Sequence, residues 1–175
     1  MKKLLLLSYM FFYIFSVGSG ENIEKYIIAH NYFEPLVIIK NVPTKYQFMI
    51  KYTAATIGIS PEILAGIAYT ESSYRENPEH INNTDKGMFG LHESKSIHKE
   101  RSDLYGEYDA TDPWEAARIA ALILLDHYEY YNSWSLSIAA YHQGRTGLKN
   151  NNAESWYVAR VLQRGTKIST RNQLT

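Results

Sequence analysis

Glu71 is the residue whose type and position point most directly to chemistry. Leu64, Ile67, Ala68 and Glu71 follow one another at spacings of three, one and three, which places all four on one face of a helix. A carboxylate on an apolar stripe is costly if it stays charged and unpaired. Partial burial raises its pKa and makes it a usable proton donor at neutral pH. The same spacing also fits a glutamate at a helix end that turns into solvent, and periodicity does not separate the two. Other chemistries find less footing. The six histidines (His30, His80, His92, His98, His127, His142) include no pair at the three- or four-residue spacing of a common zinc site, and the chain has no cysteine. His80, His92 and His98 read as surface imidazoles of one polar loop. No Gly-x-Ser-x-Gly elbow marks a serine nucleophile. Neither a metal nor a cofactor is expected.

The elements that must position Glu71 are helical. Thr44 with Gln47 makes a capping box, and Gly58 stands just past the helix it opens. Ser60-Pro61 offers an N-cap and a proline at the first position of the Glu71 helix. Residues 76–111, rich in Asn, Asp, Gly and His, read as a long structured loop with at most a helical turn near Glu93 to Glu100. Asp112-Pro113-Trp114-Glu115 opens the clearest helix, and its body from Ala116 to Leu125 is apolar nearly all round, as a central core helix would be. Ser133 or Ser135 caps a helix over Leu136 to Tyr141 that Gly144 ends. A last helix runs from about Glu154 to Gln163 with Gly165 behind it. Glu24 to His30 and Leu36 to Ile39 remain ambiguous between strand and helix. The fold class is mainly α.

Four segments in order carry a resemblance over roughly Tyr46 to Gln163. Ala68-Tyr69-Thr70-Glu71-Ser72-Ser73-Tyr74 resembles the helix-end signature of the soluble lytic transglycosylases, which are related to goose-type lysozymes. Gly87-Met88-Phe89-Gly90-Leu91-His92-Glu93 is similar to that family's Gly-Ala-x-Gly-Leu-Met-Gln. Ala139-Ala140-Tyr141-His142-Gln143-Gly144 resembles its Ala-Ala-Tyr-Asn-x-Gly. Trp156-Tyr157-Val158-Ala159-Arg160-Val161-Leu162 looks like its closing helix with a Tyr-Val pair. The resemblance implies a single lysozyme-like helical domain with a long loop beside the active-site cleft, spanning residues 44–165.

The resemblance also implies a reaction. Glu71 protonates the oxygen between N-acetylmuramic acid and N-acetylglucosamine, then takes the proton from the muramoyl C6 hydroxyl as that oxygen attacks the anomeric carbon. The product is a 1,6-anhydro end, and no second carboxylate is required. Tyr141 would donate a hydrogen bond that orients Glu71, with Ser72 in support. Tyr74, Thr84, Gly90, Leu91, Glu93 and His142 are the candidates for substrate binding, and Gly87 and Gly90 would let backbone approach sugar. Three departures stand out, one of them a loop between Tyr74 and Gly87 longer than in many family members. His92-Glu93 replaces Met-Gln, and His142-Gln143 replaces Asn and a small residue. A Glu93 lying near Glu71 would raise the pKa of one of them by like-charge repulsion. A hydrolase of the goose-type kind is the rival, with Asp85 or Glu93 as its second carboxylate. A binder of glycan that does not cut is the alternative from another class.

The chain ends fit an envelope destination. Lys2-Lys3, an apolar run from Leu4 to Val17 and small residues to Gly20 have the order of a signal peptide over residues 1–20, cleaved near Gly20. The run is shorter than the roughly 20 residues that span a bilayer. Residues 21–43 read as an extension packing on the domain and residues 166–175 as a loose tail. Losing Lys2 and Lys3 leaves two more acidic than basic side chains, so nothing favours nucleic acid. The expected partner is the peptidoglycan strand, met by a monomer. Attachment to an envelope-spanning machine is compatible with the size.

Overall fold

The computed structural model describes Ile39, residues 41–150 and residues 152–165, all within one unit, Ile38–Thr175. The expected signal peptide, most of the 21–43 extension and the 166–175 tail lie outside the described residues. Among the described residues are six helices and one ribbon: α1 (Thr44–Ile57), α2 (Pro61–Ser72), β1 (Asp85–Lys86), β2 (Leu91–His92), α3 (Lys95–Tyr105), α4 (Pro113–Tyr131), α5 (Trp134–Asn150) and α6 (Ser155–Gly165). The class is mainly α, as the helix signals predict. The strands pair antiparallel, Asp85 opposite His92 and Lys86 opposite Leu91. None of the described helices is long and apolar enough to cross a membrane.

Local chemistry sets most helix starts. Ser60 accepts from the Ile63 N–H at 3.4 Å ahead of Pro61. Asp112 accepts from the N–H groups of Trp114 and Glu115, both at 2.9 Å, ahead of Pro113. These bonds satisfy donors that the first turn of a helix leaves open. The capping box at Thr44 does not form. Pro43 holds the cap position with no side-chain bond. Gln47 instead reaches back, accepting from the Ile39 N–H and donating to the carbonyls of Ile39 and Val42. Thr44 is already inside the helix, so its hydroxyl is not at the position from which a cap can act.

Three further expectations change. Residues 76–111 contain the ribbon and an 11-residue helix rather than one turn. α3 has no fully buried side chain, and its half-buried face is mostly polar, so its sequence offers too few apolar residues for a period to be read. Gly144 (φ 68°, ψ 161°) kinks α5 rather than ending it, and helix resumes to Asn150. Gly165 belongs to α6 and does not stand behind it.

The core centres on α2, whose residues from Ile63 to Ala68 are all buried. α2 makes its most extensive contact with α6, and α4 packs on α1 and α5. Two glycines let α2 and α6 touch backbone to backbone. A Cβ on Gly66 would lie 2.2 Å from the Val161 carbonyl oxygen, and one on Gly165 would lie 2.0 Å from that of Glu62. Position 62 meets 165 and 66 meets 161, so the helices run antiparallel and their register is set at two points. A methyl group at position 66 must push them apart. Gly66→Ala is therefore expected to lower the unfolding free energy by about 1–3 kcal/mol, read from the urea midpoint. An unchanged midpoint would mean the helices can separate freely.

Candidate active site

The helix register brings Glu71 to Tyr157. Tyr157, Val161 and Gly165 are the buried positions of α6, spaced four apart on one face. That face lies on α2, and Tyr157 reaches Glu71 at the far end. Its phenol donates to Glu71 Oε1. α2 stops directly after Glu71, where Ser73 and Tyr74 take left-handed backbone (φ 53° and 63°), a conformation disfavoured for residues with a side chain.

Glu71 faces a cleft of about 360 Å³ together with Asp85, Gly90, His92, Arg101, Tyr141 and His142. Burial raises the carboxyl pKa to about 7. The Tyr157 bond pulls it down, the Asp85 charge pushes it up and Arg160 pulls it down, in that order of size. Of the two readings of Glu71, partial burial holds. The group is neutral in a substantial fraction of molecules at neutral pH, as a general acid needs. Gly90 makes room for it. With φ at 60°, a Cβ there would stand 2.5 Å from Glu71 Oε2. Gly87 (φ 68°) turns equally close to the Ala110 carbonyl oxygen, at 1.8 Å from a would-be Cβ. Both glycines answer to crowding by the protein itself.

Several expected roles move. Tyr141 lines the cleft but donates to the Phe89 carbonyl at 2.7 Å, so it pins the glycine turn while Tyr157 holds the carboxyl. Ser72 is buried and donates back to Ala68 O at 2.9 Å, which turns its hydroxyl into the helix. Tyr74 lies in the core, donating to Ala65 O at 3.2 Å and packing against Tyr46 and Tyr69; it is not at the cleft. Thr84 is exposed, with its hydroxyl 3.3 Å from Asn82 Oδ1 and 3.2 Å from His92 Nδ1. Leu91 is buried in the cleft wall. His142 stacks on Tyr157 at 4.2 Å between ring centres and lies 3.4 Å from Glu154.

Glu93 departs furthest from expectation. Its Oε2 lies 2.5 Å from His98 Nδ1, and its Oε1 accepts from Tyr108 at 2.7 Å and Arg101 at 3.4 Å. It faces α3, and the carboxylate that raises Glu71 is Asp85. The chain leaves the strand after His92, so His92 stays on the cleft wall while Glu93 turns to His98, Arg101 and Tyr108. His92 Nδ1 is held 2.9 Å from Asp85 Oδ1. No side chain of α3 is fully buried. Tyr105 packs partly buried against the core, and this polar cluster, with Arg101 donating to His92 O at 2.8 Å and Arg118 to Tyr105 O at 2.7 Å, completes the attachment of the helix. Among the described residues no group of His, Asp and Glu is arranged to hold a metal ion.

Tyr157 is the residue that sequence reasoning missed as a site residue. It stood in the quoted Tyr-Val pair, on the inward stripe of α6, but its partner depends on the register of two helices distant in the chain. Comparison with protein families matches residues 48–158 to the family model described as transglycosylase SLT domain. No curated protein and no solved structure matches the chain.

Two neighbours of Glu71 make separable predictions for its titration, followed by NMR of the labelled carboxyl. Tyr157→Phe removes a bond that stabilises the charged form, so the Glu71 pKa rises above about 7. Asp85→Asn removes a repelling charge, so it falls. Shifts in the same direction for both variants would contradict the assignment. Glu93→Gln leaves that titration in place and lowers stability by about 1–3 kcal/mol, because one of three donors loses its acceptor. A moved titration would place Glu93 at the cleft after all.

Proposed function

Since the chain belongs to the transglycosylase SLT domain family, we propose that it is a peptidoglycan lytic transglycosylase in which Glu71 serves as both acid and base. One observation carries this reading: a half-buried carboxyl with a pKa raised to about 7, held by a phenol and facing an open cleft. The neutral Glu71 donates its proton to the glycosidic oxygen as the bond to the anomeric carbon of the N-acetylmuramic acid breaks. The resulting carboxylate accepts the proton of that sugar's C6 hydroxyl while O6 bonds to the anomeric carbon. Glu71 ends as it began, and the product is a 1,6-anhydro end. Tyr157 supports both halves, because a phenol donor steadies the carboxylate in the interval when it is charged. In the same proposal residues 1–20 direct the protein into the cell envelope, where the substrate lies.

One observation favours a second reading. Asp85 shares the cleft with Glu71, and a second carboxylate is what a water-using glycosidase employs to position its nucleophile. The products separate the two. Purified peptidoglycan incubated with the full chain is expected to release anhydro-muramoyl ends, identified by mass spectrometry. Reducing ends instead would assign Asp85 the role of base and make the protein a hydrolase. Glu71→Gln is expected to stay folded and to cleave about 10²–10⁴-fold more slowly. Undiminished cleavage by that variant would remove Glu71 from the mechanism, and silence of the folded parent would leave a glycan binder.

A further inference from the structure

A second hollow, of about 370 Å³, begins where the cleft ends along α5. His142, Gln143 and Gly144 are the last α5 residues in the cleft wall, and the next residue, Arg145, lines the hollow. The change of wall falls at the Gly144 kink. On α4, Ile123 lines the cleft and Tyr130 the hollow, two turns or about 10 Å farther along the helix. The two depressions therefore lie in sequence along the same pair of helices.

The hollow is built from fixed parts. Arg145 Nη2 donates to the Asp126 carbonyl at 2.8 Å and to Asp126 Oδ2 at 2.6 Å. Its Nε donates to His127 Nδ1 at 3.2 Å. Burial lowers the His127 pKa to about 4, so the ring is neutral and able to accept. Held this way, the guanidinium sits 4.6 Å from the centre of the Tyr130 ring, which also packs edge-on against Tyr131. Tyr130 nevertheless remains 67% exposed. An aromatic ring beside a cation, yet open to water, offers a flat apolar face next to a positive charge. Lys149 and Thr146 add a second cation and a hydroxyl.

That combination fits a pyranose ring with a carboxylate attached nearby. We propose that the hollow is a second glycan subsite, holding the strand beyond the cleft with a sugar face on Tyr130 and a stem-peptide carboxylate toward Lys149 and Arg145. This rests on the reading of the cleft as a peptidoglycan site. A long strand engaged at both places gains affinity without any new contact in the cleft.

The test uses the full chain carrying Glu71→Gln, cosedimented with purified sacculi. Adding Tyr130→Ala is expected to weaken binding about tenfold, equivalent to about 1.4 kcal/mol. Adding Lys149→Ala is expected to weaken binding to strands with stem peptides and not to strands stripped of them by an amidase. In the cleaving protein, Tyr130→Ala should raise KM for long strands far more than for a tetrasaccharide. Unchanged binding by the Tyr130 variant overturns the subsite, as does an equal loss on long and short substrates, which would place the defect in the cleft. Competition by polyglutamate at the same concentration as by glycan also overturns it, in favour of an acidic-protein site. A protein that cleaves nothing but loses sacculus binding on Tyr130→Ala keeps the subsite and refutes the enzyme.

Discussion

The antiparallel contact of α2 and α6 is the constraint on which the site depends. Backbone meets backbone where position 62 faces 165 and where 66 faces 161, and in both places only a glycine leaves the space. Those two contacts admit one register. In that register the next inward residue of α6, Tyr157, falls opposite Glu71. The acid and its donor are 86 residues apart in the chain, and no local feature of either helix would pair them. A shift of α6 by one residue would rotate Tyr157 about 100° away from α2, leaving the half-buried carboxyl without its donor.

The arrangement works against stability. Glu71 has an ordinary value of 4.5 and a folded value of about 7. A carboxyl whose folded value is raised weakens the fold as pH climbs through that interval, and the loss is complete above it. At about 1.36 kcal/mol per unit, the penalty is on the order of 3 kcal/mol in mildly alkaline solution. The continuous burial of α2 from Ile63 to Ala68 against its neighbours offsets it. Asp85 increases the penalty, while Tyr157 and Arg160 reduce it. The value near 7 is thus a balance, with burial as its largest part and three neighbours trimming it.

How much of this could be read in advance follows from where the information lies. Caps and stripes are local, so Ser60-Pro61, Asp112-Pro113 and the Ile63-to-Glu71 stripe were legible from their own few residues. α3 was not, because its half-buried face carries only Ile97 and Tyr105 as apolar residues among His98, Arg101 and Ser102, too few to read as a stripe. Thr44 and Gln47 satisfied a pattern, but Gln47 found stronger use in three bonds to the preceding chain. Within the site, Glu71 was legible as an inward carboxylate. The division of labour between Tyr141 and Tyr157 was not, since both are tyrosines at inward positions and only the tertiary register decides which one reaches the acid. The same limit applied to Asp85 and Glu93, two acidic residues in one loop whose facing depends on where the ribbon pairs.

That pairing explains how the chain accommodates two unusual neighbours at once. His92 is the last residue of β2 and Glu93 the first beyond it, so the two are free to face different neighbours. His92 meets Asp85 across the ribbon, where the two are register partners, and the pair forms part of the cleft wall. Glu93 meets His98, Arg101 and Tyr108 on the other side and anchors α3. Arg101 belongs to both sides: it bonds the His92 carbonyl and the Glu93 carboxylate, and it also lines the cleft. A carboxylate at position 93 therefore places a charged, half-sheltered wall beside Glu71 without adding a like charge to it. The acid substitution is better understood as fixing the geometry of the cleft than as entering its chemistry.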